Sequence, residues 1–316
     1  MPQRASQTTI LSGCLGLNTR IDPARIPVDG KTLQSSLAQA VNVDIDDFGR
    51  ISRRKGYTAS HNITGSCHSL FAFEDVCLYI EGTSMYRLHY DFETQDRDGP
   101  GRDGVRSGLK DGLKMYYIGI GREIYYSNGE QNGVYDLDSE ISHVWAAQSY
   151  IGPDTVKVFQ APPPLKHLEL YNGRIYGADN KTIWYTEPFA FSWVDKARNY
   201  LPFQSKVRMI RAVVDGIYVS TETQTIFLNG ADAPEFQHVK CADYPAVENT
   251  DLTVEGAWIG EEMRVKAALW LGLTGVCAGM PGGQFLNLTH KKIVLPPGCH
   301  GASAFIDGKF ISLLSP

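Results

Sequence analysis

The sequence predicts an all-β fold of propeller-like repeats, in which antiparallel hairpins form blades. Three observations predict it. Asn-Gly or Asp-Gly pairs at 172–173, 215–216 and 307–308 each separate two apolar runs, and such pairs supply the positive φ angles of tight hairpin turns. The chain holds 31 Gly and 16 Tyr, residues that favour turns and half-buried strands. Copies of the hairpin recur at intervals of roughly 35 to 60 residues, a spacing typical of propeller blades.

The number of blades follows less directly from the sequence. A single sheet cannot bury both of its faces, whereas sheets packed around a ring bury them and leave only short edges. We therefore expect a propeller of about five to seven blades, some of them irregular. One β-sandwich, or two, remains the alternative, because hairpins alone do not distinguish the two architectures.

Residues 1–40 are predicted to form an irregular N-terminal arm, and residues 41–316 the propeller-like domain. Pro23, Pro27 and Gly30 interrupt any long element in the arm, although Leu33 to Ala40 predict one or two helical turns. Residues 41–46 alternate strictly between apolar and polar, which predicts a strand with one buried face. A turn at 47–49 and a return strand at 50–54 complete a hairpin.

After this hairpin the repeat is an apolar strand, a short turn and a second strand that often carries aromatic residues. The copies occupy residues 69–82 with 85–88, 115–129, 168–178 with 182–186, 209–220 with 225–228, 269–277 with 284–288, and 302–314. Residues 91–114 are polar, charged and glycine-rich, which predicts a long inserted loop between blades. The apolar strand at 310–314 needs a partner, and we expect residues 41–57 or 8–17 to cover it.

Composition argues against several classes of function. The formal net charge is −5, whereas proteins that grip nucleic acid without regard to sequence usually present a basic face. The six cysteines include no C-x-x-C pair, and no signal peptide precedes them, so we expect reduced and mostly buried thiols. The longest apolar stretch, Ala267 to Cys277, is too short to cross a membrane.

No motif predicts catalysis, a cofactor or a metal. Asp47-Phe48-Gly49 spells a kinase triplet but lacks the companion motifs of that family, and Gly119-Ile120-Gly121 lacks a following helix. The eight histidines show no metal-ligand spacing. The adjacent acids at 74–75 and 261–262 would point to opposite faces of a strand, so neither pair suits acid–base chemistry. We predict no catalytic, cofactor-binding or metal-ligating residue.

The basic cluster Arg50, Arg53, Arg54 and Lys55 has two interpretations. It is either a charged edge strand that resists mispairing, or a contact site for an acidic neighbouring subunit or for DNA phosphate. Three further arginines in the predicted 91–114 loop are candidates for the same subunit or DNA contacts: Arg97, Arg102 and Arg106.

Several short segments resemble virion proteins of short-tailed bacteriophages, of the tail nozzle or tail-tube type. They are Gly16-Leu17-Asn18, Ile26-Pro27, the run from Ala40 to Tyr57, Tyr125 to Gly129, Tyr171 to Ala178 and Asp215 to Ser220. The resemblance implies a propeller that assembles as a homo-oligomeric ring around the DNA exit channel. It also implies contacts with portal, adaptor or fibre proteins, and location in the virion tail after assembly in the host cytoplasm.

This expected role is structural rather than enzymatic, with packaged DNA passing the ring without sequence-specific binding. The chain is shorter than such nozzles, so a tail-hub, tail-terminator or fibre-docking position remains open. Two other functions also remain open. A propeller enzyme acting on a surface polysaccharide would show a central pocket with convergent carboxylates. A cellular propeller scaffold would show regular Gly-His and Trp-Asp signatures, which this sequence lacks.

Overall fold

The computed structural model describes residues 13–46, 48–56, 66–88, 102–147, 159–256, 265–290, 292–306 and 308–315. These residues form 26 β-strands and three short 3-10 helices, at Pro23–Arg25, Ala233–Glu235 and Pro281–Gly283. None of the helices in this part of the chain is long and apolar enough to cross a membrane. The predicted all-β class is therefore confirmed.

Five sheets of four antiparallel strands make up the body of the fold, and in each the strands pair in chain order. Blade I contains β5 (Cys67–Phe73), β6 (Val76–Glu81), β7 (Ser84–Leu88) and β8 (Arg102–Arg106); blade II contains β9 (Tyr116–Ile120), β10 (Glu123–Ser127), β11 (Asn132–Asp136) and β12 (Ile141–His143). Blade III contains β13 (Lys166–Tyr171), β14 (Arg174–Asp179), β15 (Thr182–Tyr185) and β16 (Tyr200–Pro202). Blade IV contains β17 (Val207–Val213), β18 (Gly216–Thr221), β19 (Thr225–Asn229) and β20 (Gln237–Ala242); blade V contains β21 (Leu252–Glu255), β22 (Lys266–Gly272), β23 (Gly275–Gly279) and β24 (Phe285–Asn287).

The blades follow one another around a common centre. The first strands β5, β9, β13 and β17 contact each other in sequence, and β17 then contacts β21 and β22 of blade V. Blade V in turn packs on a final hairpin of β25 (His300–Ile306) and β26 (Lys309–Ser315). This succession of four-stranded sheets is the arrangement expected for propeller-like repeats.

Aromatic and branched side chains fill the space between consecutive blades. Met85 packs with Ile124 between blades I and II, and Tyr176 with Ile217 between blades III and IV. Trp270, fully buried, lies with Phe227 between blades IV and V. Because each blade buries its faces against the next, no single blade has a complete core of its own.

Two of the predicted hairpin turns differ in their use of glycine. Tyr171 pairs with Arg174, so Asn172 and Gly173 form the turn as predicted, both with positive φ. In blade IV, Val213 pairs with Gly216, and the turn is residues 214–215 rather than 215–216. Gly216 serves a different purpose, because a Cβ there would lie 2.4 Å from the carbonyl oxygen of Leu228.

The segment before blade I is more regular than expected, and it includes the hairpin predicted as part of the propeller-like domain; we call its described residues, 13–46 and 48–56, the arm. Strand β1 (Gly13–Leu17) pairs in parallel with β2 (Gln34–Leu37), so the helical turns predicted for Leu33 to Ala40 are wrong. Strands β3 (Val43–Ile45) and β4 (Ile51–Arg53) form the predicted hairpin. Its turn is fixed by Asp46, whose Oδ1 accepts hydrogen bonds from the backbone N–H of Phe48 and Arg50.

The arm is attached to the C-terminal part of the chain by hydrogen bonds and an ion pair. Thr19 N–H donates to the Lys292 carbonyl over 2.8 Å, and Lys309 Nζ lies 3.1 Å from Asp44 Oδ2. We expected residues 41–57 or 8–17 to pair with the last strand. Among the described residues β26 pairs only with β25, whereas 13–17 pair with β2; residues 8–12 and Tyr57 lie outside this description.

The predicted 91–114 loop is wrong in one part. Residues 102–106 form β8, the outermost strand of blade I, because an edge strand tolerates a polar sequence that a central strand does not. The guanidinium of Arg102 stacks over the Tyr86 ring at 4.6 Å, and that of Arg106 over Tyr126 at 5.5 Å. Residues 91–101 lie outside the described part of the chain.

Candidate functional site: a polar cluster at the propeller centre

Charged and polar side chains converge where the first strands of the blades face one another. We call this set the axial cluster; it comprises Lys114, Tyr116, His167, Glu169, Lys206, Arg211, Glu248, Asn249 and Asp251. Its members come from β9, β13 and β17, from the residues that precede β9 and β17, and from the segment before β21. The cluster therefore connects blades II to V.

Arg211 is the hub of the cluster. Its Nη1 lies 2.9 Å from Glu169 Oε2, its Nε lies 2.7 Å from Asp251 Oδ2, and its Nη2 donates to the Asp251 carbonyl over 3.3 Å. The guanidinium thus satisfies two carboxylates from two neighbouring blades. Burial opposes its charge, but Asp251 and Glu169 outweigh that effect and raise the pKa of Arg211.

The two carboxylates of this pair respond differently to the same arginine. For Glu169, burial outweighs the attraction of Arg211 and raises the pKa. For Asp251, burial also acts to raise the pKa, but Arg211, His167 and Lys114 together lower it overall. Asp251 makes the closer contact with Arg211, which is consistent with its stronger stabilisation as an anion.

His167 lies beside this pair with almost no exposure to solvent. Its Nε2 lies 3.9 Å from Glu248 Oε1 and has no hydrogen-bond partner among the described residues. Burial lowers the pKa of His167 to about 4, so the ring is neutral at pH 7. Glu248 is paired with Lys206 instead, at 3.3 Å.

Tyr116 closes the cluster on the side of blade II. Its ring packs against the His167 imidazole with centroids 4.7 Å apart, and its hydroxyl donates to Asn249 Oδ1 over 2.8 Å. The ammonium of Lys114 lies 5.3 Å from the same ring. Burial lowers the pKa of Lys114, while the neighbouring Asp251 and Glu248 oppose that shift.

An open cleft of about 680 Å³ lies next to the cluster, between blades III, IV and V. Glu169 and Lys266 line one part of it, and Asp215 and Asn229 another. Asp215 Oδ2 accepts a hydrogen bond from Gly282 N–H over 2.7 Å, and Glu169 is held by Arg211. Each carboxylate that lines the cleft thus has one oxygen engaged by a protein group, whereas Asp215 Oδ1 has no hydrogen-bond partner among the described residues.

Metal and thiol chemistry find little support in the described part of the chain. No group of three or more His, Cys, Asp or Glu residues there could hold a metal ion. All six cysteines are unpaired, but only Cys14, Cys277 and Cys299 are buried, whereas Cys67 is exposed. We expected mostly buried thiols, and three of the six cysteines are buried.

The predicted basic residues lie away from this cluster. Arg50, Arg53, Arg54 and Lys55 are exposed on the arm, and Arg54 Nε lies 3.2 Å from Asp44 Oδ1. The other predicted contact residues that the structure describes do not lie beside this basic cluster. Arg102 is paired with Glu81, Arg106 donates to the Tyr126 hydroxyl and the Asn132 carbonyl, and Arg97 lies outside the described residues.

Sequence reasoning missed the axial cluster. One signal was available, because single charged residues interrupt two strands that otherwise read as buried. Glu169 lies between Leu168 and Leu170, and Arg211 lies between Ile210 and Ala212. A charged group is rarely buried without a partner, so each of these positions indicated one elsewhere in the chain.

Comparison with known proteins adds resemblance at the level of fold. No protein-family model matches the chain. No curated protein matches it either. Among solved structures, it is similar to an extracellular domain from Bacteroides thetaiotaomicron described as part of a one-component system, with 13% identity and a TM-score of 0.49 over 79% of this chain and 31% of that one.

Two other solved structures are similar over comparable lengths. The WD40 domain of Pan2 from Neurospora crassa has 11% identity and a TM-score of 0.42, over 69% of this chain and 61% of that one. The N-terminal domain of Nup159 has 11% identity and a TM-score of 0.43, over 78% of this chain and 71% of that one. The chain spans about a third of the extracellular domain described above. The fold assignment rests on the chain's own sheet topology.

Proposed function

We propose that the chain is a non-catalytic structural subunit of a phage tail or neck, which assembles with further copies and neighbouring tail proteins around the DNA exit channel. One observation carries this proposal. The arm, built from residues outside the blades, presents exposed basic and apolar side chains while it is anchored to the C-terminal segment at Lys292 and Lys309. An anchored element that exposes apolar groups is suited to contact with another protein.

Five charged groups at the propeller centre are engaged in ion pairs within the protein, whereas His167 Nε2 has no hydrogen-bond partner among the described residues. Arg211 holds Glu169 and Asp251, and Lys206 holds Glu248. These ion pairs connect blades rather than leaving charged groups free for a substrate. The axial cluster therefore supports a structural role, in which the centre of the fold is stabilised and its outer surfaces make the contacts.

The tail assignment rests on the resemblance of the 40–57 hairpin and the later repeats to tail nozzle and tail-tube proteins. In this role the DNA channel belongs to the ring of subunits, not to the centre of one propeller. The net charge of −5 is suited to a surface past which DNA slides, because few phosphates are neutralised. A cellular propeller scaffold with protein partners would use the same exposed surfaces.

A second candidate, an enzyme acting on a surface polysaccharide, is favoured by one observation. The pKa of Glu169 is raised and that of Asp251 is lowered, and opposite shifts of neighbouring carboxyls are typical of acid–base pairs. Arg211 lies between them, however, and bonds to both. Release of reducing ends from host polysaccharide, lost in Glu169→Gln, would favour the enzyme; its absence with wild-type protein would argue against it.

The proposed structural role is tested by the mass of the purified protein in solution, measured by light scattering, with negative-stain images of the same sample. The protein is examined alone and mixed with phage neck proteins. We expect rings, or a monomer that becomes a ring on the neck. A monomer that ignores every neck protein would contradict the proposal.

A further inference from the structure

An acidic patch joins the rims of blades I and II. It is formed by Glu74 and Asp75 in the β5–β6 turn and by Asp138 and Glu140 in the β11–β12 turn. Arg122 connects the two turns, with an N–O distance of 2.8 Å to Glu74 and to Asp138. We call these residues the rim patch. Arg87 pairs with Glu140, so four exposed acids face two arginines and the patch remains negative.

Apolar groups border the rim patch. Ile141 follows Glu140 directly and begins strand β12, the outermost strand of blade II; it is 62% exposed. Val144, just after the same strand, is 69% exposed. The rim patch therefore combines negative charge with exposed branched side chains, the composition of a surface that suits a basic and apolar partner.

The arm hairpin, residues 43–55, has the complementary composition. Ile51 and Arg53 are two residues apart on β4 and lie on the same face of the hairpin. Phe48 at the turn is 86% exposed, and the Arg50 side chain is 83% exposed. Arg53 and Lys55 have no ion-pair partner within the described residues.

The opposite face of the hairpin is the one that is anchored. Asp44 lies on that face, since it alternates with Val43 and Ile45, and it is held by Lys309 and Arg54. The side-chain hydrogen bonds of Lys309 and Arg54 act to lower the pKa of Asp44, which is consistent with an anchored carboxylate. The face with Ile51 and Arg53 is therefore directed away from the anchor.

From this complementarity we infer that the arm hairpin of one copy docks on the rim patch of a second copy. The inference rests on the proposed structural role and names the contact through which the copies assemble. The two surfaces are different parts of one chain, so the contact is head-to-tail and repeats from copy to copy, which generates a ring or a filament. Opposite charges orient the contact, and the exposed apolar groups of both surfaces are buried by it.

DNA is the other partner that a basic hairpin suggests, but the arm fits a protein surface better. Phe48 and Ile51 lie among the arginines, and a phosphate backbone offers no apolar surface to cover them. Asp44 and Asp46 on the same hairpin would also repel phosphate. A protein surface with acids and branched side chains would pair with the basic residues of the hairpin and also cover its apolar residues. The rim patch supplies both kinds of side chain.

The test is a charge-exchange experiment on the full chain. One variant carries Arg53→Glu and Lys55→Glu on the arm, a second carries Asp75→Lys and Asp138→Lys on the rim patch, and a third carries all four changes. We expect self-association to weaken at least about tenfold in each of the first two and to recover in the third, a change of about 1.4 kcal/mol per tenfold. Sedimentation measures the self-association of each variant, both by itself and in the presence of neck proteins.

Matched controls change exposed charges elsewhere. Arg198→Glu in blade III and Asp243→Lys in blade IV alter groups that are 74% and 84% exposed, and we expect wild-type association from both. Thermal unfolding checks that every variant is folded. Rings that persist in all variants would overturn this inference and leave the structural role intact, whereas a wild-type chain that never associates would overturn both.

The same variants distinguish docking on a second copy from binding to DNA. If the arm variant loses binding to a duplex DNA fragment while the rim variant associates like wild type, the arm contacts DNA and the inference is wrong. If the four-change variant fails to recover although it is folded, the two surfaces do not meet, and the inference is equally wrong. Recovery in that variant alone supports direct contact between the arm hairpin and the rim patch.

Discussion

Glu169 and Arg211 occupy the same position in two consecutive blades and are joined by an ion pair of 2.9 Å. Glu169 lies opposite Tyr176 in blade III, and Arg211 lies opposite Tyr218 in blade IV, each two residues before the last pair of its hairpin. One repeated position therefore carries opposite charges in neighbouring repeats. Asp251 extends the link from Arg211 towards blade V.

This link predicts that Arg211→Met destabilises the fold. The change leaves Glu169 and Asp251 without a cation, and breaking a buried ion pair by removing one partner is costly. We expect the free energy of unfolding to fall by about 2 to 4 kcal/mol, less than the roughly 3 to 5 kcal/mol for a fully buried pair, because 28% of the Arg211 side chain is exposed. Urea unfolding with an unchanged m-value measures the effect.

A matched arginine serves as the control. Arg198 is 74% exposed and lies 4.0 Å from Asp195, so Arg198→Met should change the free energy of unfolding by no more than about 0.5 kcal/mol. Equal effects of the two substitutions would contradict a special role for Arg211.

His167 predicts a loss of stability in mild acid. Its pKa is about 4 in the folded protein, compared with 6.5 for the free group, so between these values the unfolded chain binds a proton that the folded chain does not. The contribution of His167 to the free energy of unfolding is therefore at its full value above pH 6.5 and decreases as the pH falls from 6.5 to 4. The expected contribution is about 3 kcal/mol across that interval.

His167→Phe keeps a ring against Tyr116 but cannot titrate. We expect the difference in unfolding free energy between wild type and this variant to change with pH over the interval given above, and guanidinium unfolding at several pH values measures it. Carboxylates away from this cluster titrate in both proteins, so the difference reports the histidine together with its coupling to Asp251. The control is His238→Gln, which replaces a histidine at an exposed position outside the axial cluster.

Gly49 is predicted to fix the arm. Its φ is +77°, and an added Cβ would lie 2.6 Å from the carbonyl oxygen and 2.8 Å from the nitrogen of Cys14, where Cys14 N–H already donates to the Gly49 carbonyl. Gly49→Ala should therefore detach the turn from β1, at a cost of at least about 1 to 2 kcal/mol. Faster tryptic cleavage at Arg50 and Arg53, with unchanged unfolding of the blades, is the expected result.

Gly30→Ala provides the comparison, because Gly30 has open space around it and no positive φ. Its arm should be cleaved at the wild-type rate. If Gly49→Ala is also cleaved at that rate, the close approach of Gly49 to Cys14 does not hold the arm.

Tyr218 is predicted to stabilise the junction between blades IV and V through its hydroxyl. The hydroxyl lies 2.6 Å from the Met280 carbonyl and 3.0 Å from the Gln284 carbonyl, and the ring is fully buried. Tyr218→Phe leaves the Met280 carbonyl without this donor and should cost about 1 to 2 kcal/mol in thermal or urea unfolding. Tyr200→Phe, at a partly exposed ring, should cost less than about 0.5 kcal/mol; equal costs would contradict the prediction.

The blades were predictable because their hairpins are local. Adjacent strands joined by tight turns are specified by alternation and by turn residues, and the turn at Asn172-Gly173 forms where the sequence indicates it. The turn near Gly216 is displaced by one residue because that glycine is needed for the approach of Leu228 from the next strand. The sequence of the β17–β18 hairpin alone does not reveal this contact with strand β19.

Long-range pairing explains the errors in the arm and the missed cluster. Residues 34–37 become a strand because they pair with residues 13–17, and this tertiary contact outweighs a weak local preference for helix. Arg211, Glu169 and Asp251 meet only when three blades lie around one centre. Their separate positions indicate buried charges, but their partners depend on how blades III, IV and V pack together.

The attachment of the arm to the end of the chain also has a consequence for biosynthesis. Asp44 and its partner Lys309 are separated by 265 residues, and Leu15 and its partner Lys292 by 277. Because a chain emerges from the ribosome from its N-terminus, the arm is synthesised before the residues that anchor it. The anchored arrangement of the hairpin therefore forms only after Lys292 and Lys309 have been translated.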